Sequence, residues 1–232
     1  MWNVGLFVPR VYKIGGMELK VLVACEESQE VCKAFRALGH EAYSCDIQPC
    51  SGGHPEWHIQ EDVLTIPVKG WDIMIAFPPC THLAVSGAKW FRDKVREQKE
   101  AIEFFMALVN VPIEKICIEN PVGIMSTKYR KPNQYVQPYE YGHPSRKKTG
   151  LWLKNLPNLK PTKIVEPELY TDKRGRTYSK DFLFDENGKW MPFKGQGRRR
   201  SVTYKGIAEA MAEQWSNIPI TSQPKDIIGG GL

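Results

Sequence analysis

WDIMIAFPPCTHLAVSG, residues Trp71 to Gly87, is the stretch whose reading decides the fold. Ile73 to Phe77 is an unbroken apolar run. That is the pattern of a strand at the centre of a parallel sheet with both faces covered. Pro78 and Pro79 stop the strand, because neither can donate to a sheet ladder. Cys80 then stands at the strand's carboxyl end, the edge of an open α/β sheet where ligands bind. A cysteine alone would read as a buried packing residue. Behind a double proline and ahead of a polar loop, it reads as a nucleophile.

Upstream, Lys20 to Cys25 (KVLVAC) predicts a first strand and Glu41 to Asp46 (EAYSCD) a second. Between them Ser28 is placed to cap a helix with Val31, Ala34, Phe35 and Leu38 inward, and Gly39 to end it. This strand–helix–strand unit opens a nucleotide-binding α/β fold. Asp46, at the tip of the second strand, is where such folds hold a ribose hydroxyl. No GxGxxG follows the first strand, and Glu26 and Glu27 would repel a pyrophosphate. They suit a cationic, phosphate-free cofactor such as S-adenosylmethionine. Asp62 offers a second carboxylate, suited to the exocyclic amine of an adenine. Cys45, Cys50, His54 and His58 fall in a turn-rich stretch, but there is no CxxC and Cys45 belongs to the strand. A connecting loop is the better reading there, and no metal is expected.

Downstream, residues 93–109 read as an amphipathic helix with Val95, Ile102, Phe105, Leu108 and Val109 inward. Lys115 to Ile118 is a short buried strand that ends in Glu119-Asn120-Pro121. Two strands that each end in reactive side chains before proline are expected to face one cleft. Gly150 to Leu153 predicts a further strand behind the basic turn Tyr139 to Lys148. Glu168 to Lys194 reads as a hairpin-like insert, with turns at Arg174-Gly175 and Asn187-Gly188. Ile207, Ala210, Met211 and Trp215 mark the last helix.

The chain has 232 residues, 42% of them hydrophobic and 25% charged, enough for one sizeable core. No apolar run approaches the roughly 20 residues needed to cross a bilayer. The N-terminal stretch lacks the features of a signal peptide, and the six cysteines read as reduced thiols, so a cytoplasmic protein is expected. The net charge of +6 is uneven: Tyr141 to Lys205 carries sixteen Lys/Arg against six Asp/Glu. A basic half rich in Tyr, Phe and Trp suits a polyanion with bases to stack on, although a solvated basic surface over core aromatics would give the same composition.

Taken together, these motifs resemble those of the DNA (cytosine-5-)-methyltransferases. AFPPCTHLAVSG is similar to that family's catalytic loop, with Pro78, Pro79, Cys80, Ser86 and Gly87 in register. IENPVG resembles its ENV motif and puts Glu119 in the catalytic glutamate position. YGHPSRKKTGLWL resembles its YGxPQxRxR motif, with Arg146 on the first arginine and Lys148 on the second. Asp46 and Asp62 match the two cofactor-binding acids, and SVTYKGIAEAMA is similar to the helix that closes the cofactor site. The departures are a glycine-free first loop (CEESQE), ENP for ENV, Thr81 for glutamine, Arg199-Arg200 for Gly-Asn, and a short target-recognition region.

The resemblance implies an α/β, Rossmann-like S-adenosylmethionine-dependent methyltransferase fold with a mostly parallel central sheet flanked by helices. It implies transfer of a methyl group to carbon 5 of cytosine in DNA. Cys80, Glu119 and Arg146 would be catalytic. Cys25, Glu26, Asp46, Ile47, Asp62, Val63, Phe77 and Pro78 would hold S-adenosylmethionine, and Ser86, Lys148, Arg198, Arg199 and Arg200 would hold the substrate. The partner would be double-stranded DNA with the target base flipped out, bound by a monomer. Two alternatives stay open: the same chemistry on RNA or a free nucleotide, and a binding-only relative that has lost catalysis. The expected layout is an N-terminal arm 1–16, a catalytic core 17–153, a short basic insert 154–200, a returning helix 201–221 and a tail 222–232.

Overall fold

The computed structural model describes residues 18–85, 94–185, 187–191 and 201–218. Ser86, Arg198, Arg199 and Arg200, the N-terminal arm and the tail lie outside the described residues.

The apolar runs at Lys20–Ala24 (β1), Ile73–Ala76 (β4) and the first half of Lys115–Pro121 (β5) form the centre of one sheet. Both faces are covered, as such runs require. Glu41–Cys45 (β2) and His58–Ile59 (β3) extend the sheet on one side. Thr149–Lys154 (β7) and Gln134–Val136 (β6) extend it on the other. The order is β3-β2-β1-β4-β5-β7-β6. The four ladders from β3 to β5 are parallel, and those of β7 with β5 and β6 are antiparallel. The helices Glu30–Ala37 (α1) and Lys205–Trp215 (α4) pack on one face, around Phe35, Met211 and Trp215. Val95–Val109 (α2) and the single turn Met125–Lys128 (α3) pack on the other, around Phe105, Leu108 and Met125. The expected Rossmann-like fold with a mostly parallel, helix-flanked sheet is therefore observed. The strand order reverses between β1 and β4, so the crevice outside the carboxyl ends of these two strands is the place for a ligand.

Several details differ from expectation. Ser28 does not cap α1. Gln29 takes the N-cap position in a left-handed conformation (φ 61°), and the Glu26 carboxylate supplies the cap. Leu38 is 41% exposed because α1 ends at Ala37, and Cys32 joins Val31 and Phe35 as a fully buried position while Ala34 packs half-buried against the same core. Val95 opens α2 at 67% exposure, leaving Phe105 and Leu108 as its fully buried positions. β5 runs three residues further than Ile118, because Glu119, Asn120 and Pro121 pair with Leu151, Gly150 and Thr149 of the antiparallel neighbour. The insert does form a hairpin, Leu169–Thr171 (β8) with Thr177–Ser179 (β9). Gly175 turns it at φ +75°, a conformation that needs no Cβ.

Candidate active site

The carboxyl edge of the sheet gathers most of the described candidate residues. β4 ends at Ala76, and the Phe77 amide donates to Ala24 O of β1 (2.9 Å), holding the strand exit against the switch point. Pro78 is buried and Cys80 is partly exposed. The Cys80 carbonyl accepts from the amides of Leu83 and Ala84, which turns the chain tightly behind the thiol.

This loop is stitched to the end of β5. Asn120, 1% exposed, donates from Nδ2 to Pro78 O at 2.9 Å. The Val85 amide donates to Val122 O (3.0 Å) and the Ile124 amide to Leu83 O (2.9 Å). Gly123 sits where they meet, and a Cβ there would lie 2.1 Å from Leu83 O. Gly123→Ala is therefore expected to push the Cys80 loop away from β5. The stability cost should be about 1–3 kcal/mol in a denaturant titration, as for overpacking elsewhere. A misplacement on the order of 1 Å lowers catalytic turnover by about 100-fold. Unchanged turnover would show that the stitch does not position the loop.

Glu119 shares a face of β5 with Cys117 and turns toward α4. It lines a narrow cavity with Phe77, Lys147, Thr149, Tyr204 and Met211. Burial raises its pKa, and the Lys147 charge and the Thr149 side chain draw it part of the way back. Such a carboxyl keeps its proton to higher pH than an exposed one and can donate a hydrogen bond. Lys147 is thus the cation beside Glu119. Arg146 is exposed, with its amide donating to Ser179 Oγ at 2.7 Å. Lys148 is also exposed, with its ammonium 4.4 Å from the centroid of the Tyr135 ring. Nothing in the turn's sequence separates three consecutive cations; in the fold Lys147 is the half-buried one, between exposed Arg146 and Lys148. Thr149 and Tyr204 carried no sequence signal beyond their place in the two motifs.

On the other side of the switch point, Cys25 leaves β1 at φ 58°, so a glycine-free loop still makes a glycine-type turn. Burial raises the Cys25 pKa, and the carboxylates of Asp46 and Asp62, with Cys45, raise it further, so these acids converge on it. Asp46 Oδ1 accepts from the Gln48 amide and Asp62 Oδ1 from the Leu64 amide. Ile47, beside Asp46, is 72% exposed, whereas Val63 is buried in the core. Glu26 turns inward instead: Oε1 accepts from the Val31 amide (2.7 Å) and Oε2 from the Cys32 amide (3.2 Å). It fills the anion site that a helix N-terminus offers.

Glu26 is 4% exposed, and burial lifts its pKa from 4.5 to about 7, against the opposing backbone hydrogen bonds. A folded-state value above the unfolded one stabilises the fold fully below pH 4.5, and that contribution is lost as pH rises toward 7. The loss is on the order of 3 kcal/mol. Glu26→Gln is expected to flatten this slope in denaturant titrations between pH 4.5 and 7. An unchanged slope would place its origin elsewhere.

The turn-rich stretch after β2 is held by polar contacts. Cys45 donates to Glu61 O, His54 stacks on Trp57 at 3.8 Å, and His58 lies between Ser44 Oγ and Gln48 O. Among the described residues, no group of three His, Cys, Asp or Glu could hold a metal ion. No helix among them is long and apolar enough to cross a membrane.

The chain matches no family model and no curated protein. Among solved structures it is similar to a candidate DNA modification methyltransferase encoded within an E. coli prophage. The identity is 18% and the TM-score 0.42, over 64% of this chain and 52% of that one. The match thus spans about half the length of that chain.

Proposed function

We propose that the protein is an S-adenosylmethionine-dependent methyltransferase that modifies carbon 5 of cytosine in DNA, with Cys80 as nucleophile. One observation carries the reading. The Cys80 loop and the Glu119 strand end are stitched to each other by Asn120, Val85 and Ile124, at the carboxyl edge beside the switch point. A loop that carries a thiol, fastened to a strand end that carries a proton-holding carboxyl, matches what cytosine needs at its two ring edges.

The residues at the switch point fit the cofactor. Asp46 and Asp62 supply carboxylates for ribose hydroxyls and an adenine amine, and Ile47 supplies an exposed apolar surface for a purine face. The Glu26 carboxylate already occupies the N-terminus of α1, which disfavours a phosphate-bearing cofactor and suits a phosphate-free one. When bound, S-adenosylmethionine supplies an electrophilic methyl group.

Cys80, as thiolate, adds to carbon 6 of the flipped cytosine. The new S–C6 bond pushes electron density to carbon 5, which becomes nucleophilic. Glu119 donates its proton to ring nitrogen 3 and accepts from the amino group, which neutralises the charge built up by that attack. Lys147 takes the part expected of Arg146, holding Glu119 and offering a cation to the base carbonyl. After carbon 5 is methylated, its proton leaves to a base, the S–C6 bond breaks to restore the thiolate, and ring nitrogen 3 returns its proton to Glu119. Arg146 and Lys148 face outward, where they meet backbone phosphates.

The test is transfer of a labelled methyl group from S-adenosylmethionine to duplex DNA of mixed sequence and, in parallel, to RNA, followed by nucleoside analysis. The reading predicts 5-methylcytosine. Label recovered in RNA alone, or at an exocyclic nitrogen, would overturn the substrate or the chemistry respectively.

A further inference from the structure

Tyr204 stands just before α4 and joins three segments at the Glu119 cavity. Its hydroxyl donates to Asp181 Oδ2 at 2.5 Å and lies 2.8 Å from Ser145 Oγ. Ser145, itself 2% exposed, donates to Asp181 Oδ1 at 3.0 Å, so one carboxylate uses both oxygens to tie the basic turn to the residue before α4. The Tyr204 ring is held on one side by His143, tilted with centroids 5.3 Å apart. His143 is anchored in turn by the Gly206 amide, which donates to its Nε2 at 2.9 Å. The Lys147 ammonium lies 5.9 Å from the centroid of the same ring. Asp181 belongs to the insert, directly after β9, and Ser179 clasps the Arg146 backbone through both its amide and its carbonyl.

A lysine has four rotatable bonds and loses side-chain entropy on being fixed. It stays opposite a recessed carboxyl only if something confines it, and the face of an aromatic ring does so. We propose that Tyr204 is a positioning residue: anchored by its hydroxyl on Asp181 and Ser145, its ring keeps the Lys147 ammonium in the cavity that Glu119 lines. The same anchor ties the insert to the catalytic edge. The proposal rests on the reading of Glu119 as a catalytic acid. Among the described residues, the groups that act on that carboxyl are Lys147, Thr149 and the buried Cys117 thiol, whose own pKa is raised by burial and by Glu119, so Lys147 is the only cation among these.

The test follows the Glu119 side-chain carboxyl by carbon-13 NMR titration of the full chain, its signal assigned by loss in Glu119→Gln. Lys147→Met is expected to raise its pKa by about 1, because the stabilising cation is gone. Tyr204→Phe and Asp181→Asn, which break the anchor at its two ends, are expected to raise it in the same direction. Tyr204→Phe combined with Lys147→Met should go no higher than Lys147→Met alone, since both act through one charge. Folding of each variant is checked by thermal unfolding, and either anchor variant suffices. A Glu119 titration unmoved by the anchor variants, or a double variant in which the shifts add, would overturn the role of Tyr204. Methyl transfer measured on the same samples separates the two ideas. Wild-type protein inactive on DNA with the titration as expected rejects the function and keeps the positioning role. Active wild-type protein with an unmoved titration rejects the positioning role alone.

Discussion

Cys80→Ser is expected to lower methyl transfer to DNA by a factor on the order of 10⁴–10⁶, the scale seen when a covalent nucleophile is removed. The argument is chemical. A serine hydroxyl at neutral pH is almost wholly protonated, whereas a cysteine thiol carries a few per cent of thiolate and is intrinsically more nucleophilic. Carbon 5 of cytosine is too electron-poor to attack a methyl donor until carbon 6 has been saturated. The tight turn behind Cys80, with Leu83 and Ala84 donating to its carbonyl, and the clamp from Asn120 to Pro78 are backbone features that serine leaves intact. DNA binding and stability should therefore stay near wild type while turnover is lost. A variant that keeps even a tenth of the wild-type rate would remove Cys80 from the chemistry.

Glu119→Gln is the second large effect, with an expected fall in turnover of about 100- to 10,000-fold. Glutamine preserves the size of the side chain and can still donate from its amide, but it cannot hand over a proton to ring nitrogen 3. The pH dependence separates the two losses. Burial raises the Glu119 pKa, with Lys147 and Thr149 lowering it in part. The active, protonated form is present below that pKa and lost as pH rises through it. Wild-type turnover should decline on that limb, and the residual turnover of Glu119→Gln should not. A decline retained by the variant would assign it to another group.

Much of this architecture is legible in the amino-acid sequence. The apolar runs at β1, β4 and β5 read as strands, that of β4 as a central one, and proline at Pro78 and at Pro121 marked the strand ends that carry reactive side chains. β3 and β6 were not legible: two and three residues of mixed polarity carry no period, and only their pairing partners make them strands. The cap of α1 was missed because it reaches back from Glu26, four residues before the helix, rather than from the residue beside it. The glycine-free loop still makes its turns, since Cys25 and Gln29 take left-handed conformations that favour glycine. In the basic turn, side-chain direction depends on how the chain enters β7 through Ser145 and Thr149, contacts made with the insert and with Glu119. No local pattern encodes that.

The most direct test of the central claim, a covalent Cys80 adduct on cytosine, is a trapping experiment. Duplex DNA carrying fluorine at carbon 5 of cytosine is incubated with the protein and S-adenosylmethionine, then denatured and resolved by size. Fluorine blocks the final elimination, so the account predicts a protein–DNA species that survives denaturation and is absent with Cys80→Ser. No such species from DNA that the wild-type protein binds, or an equal amount from Cys80→Ser, would contradict it.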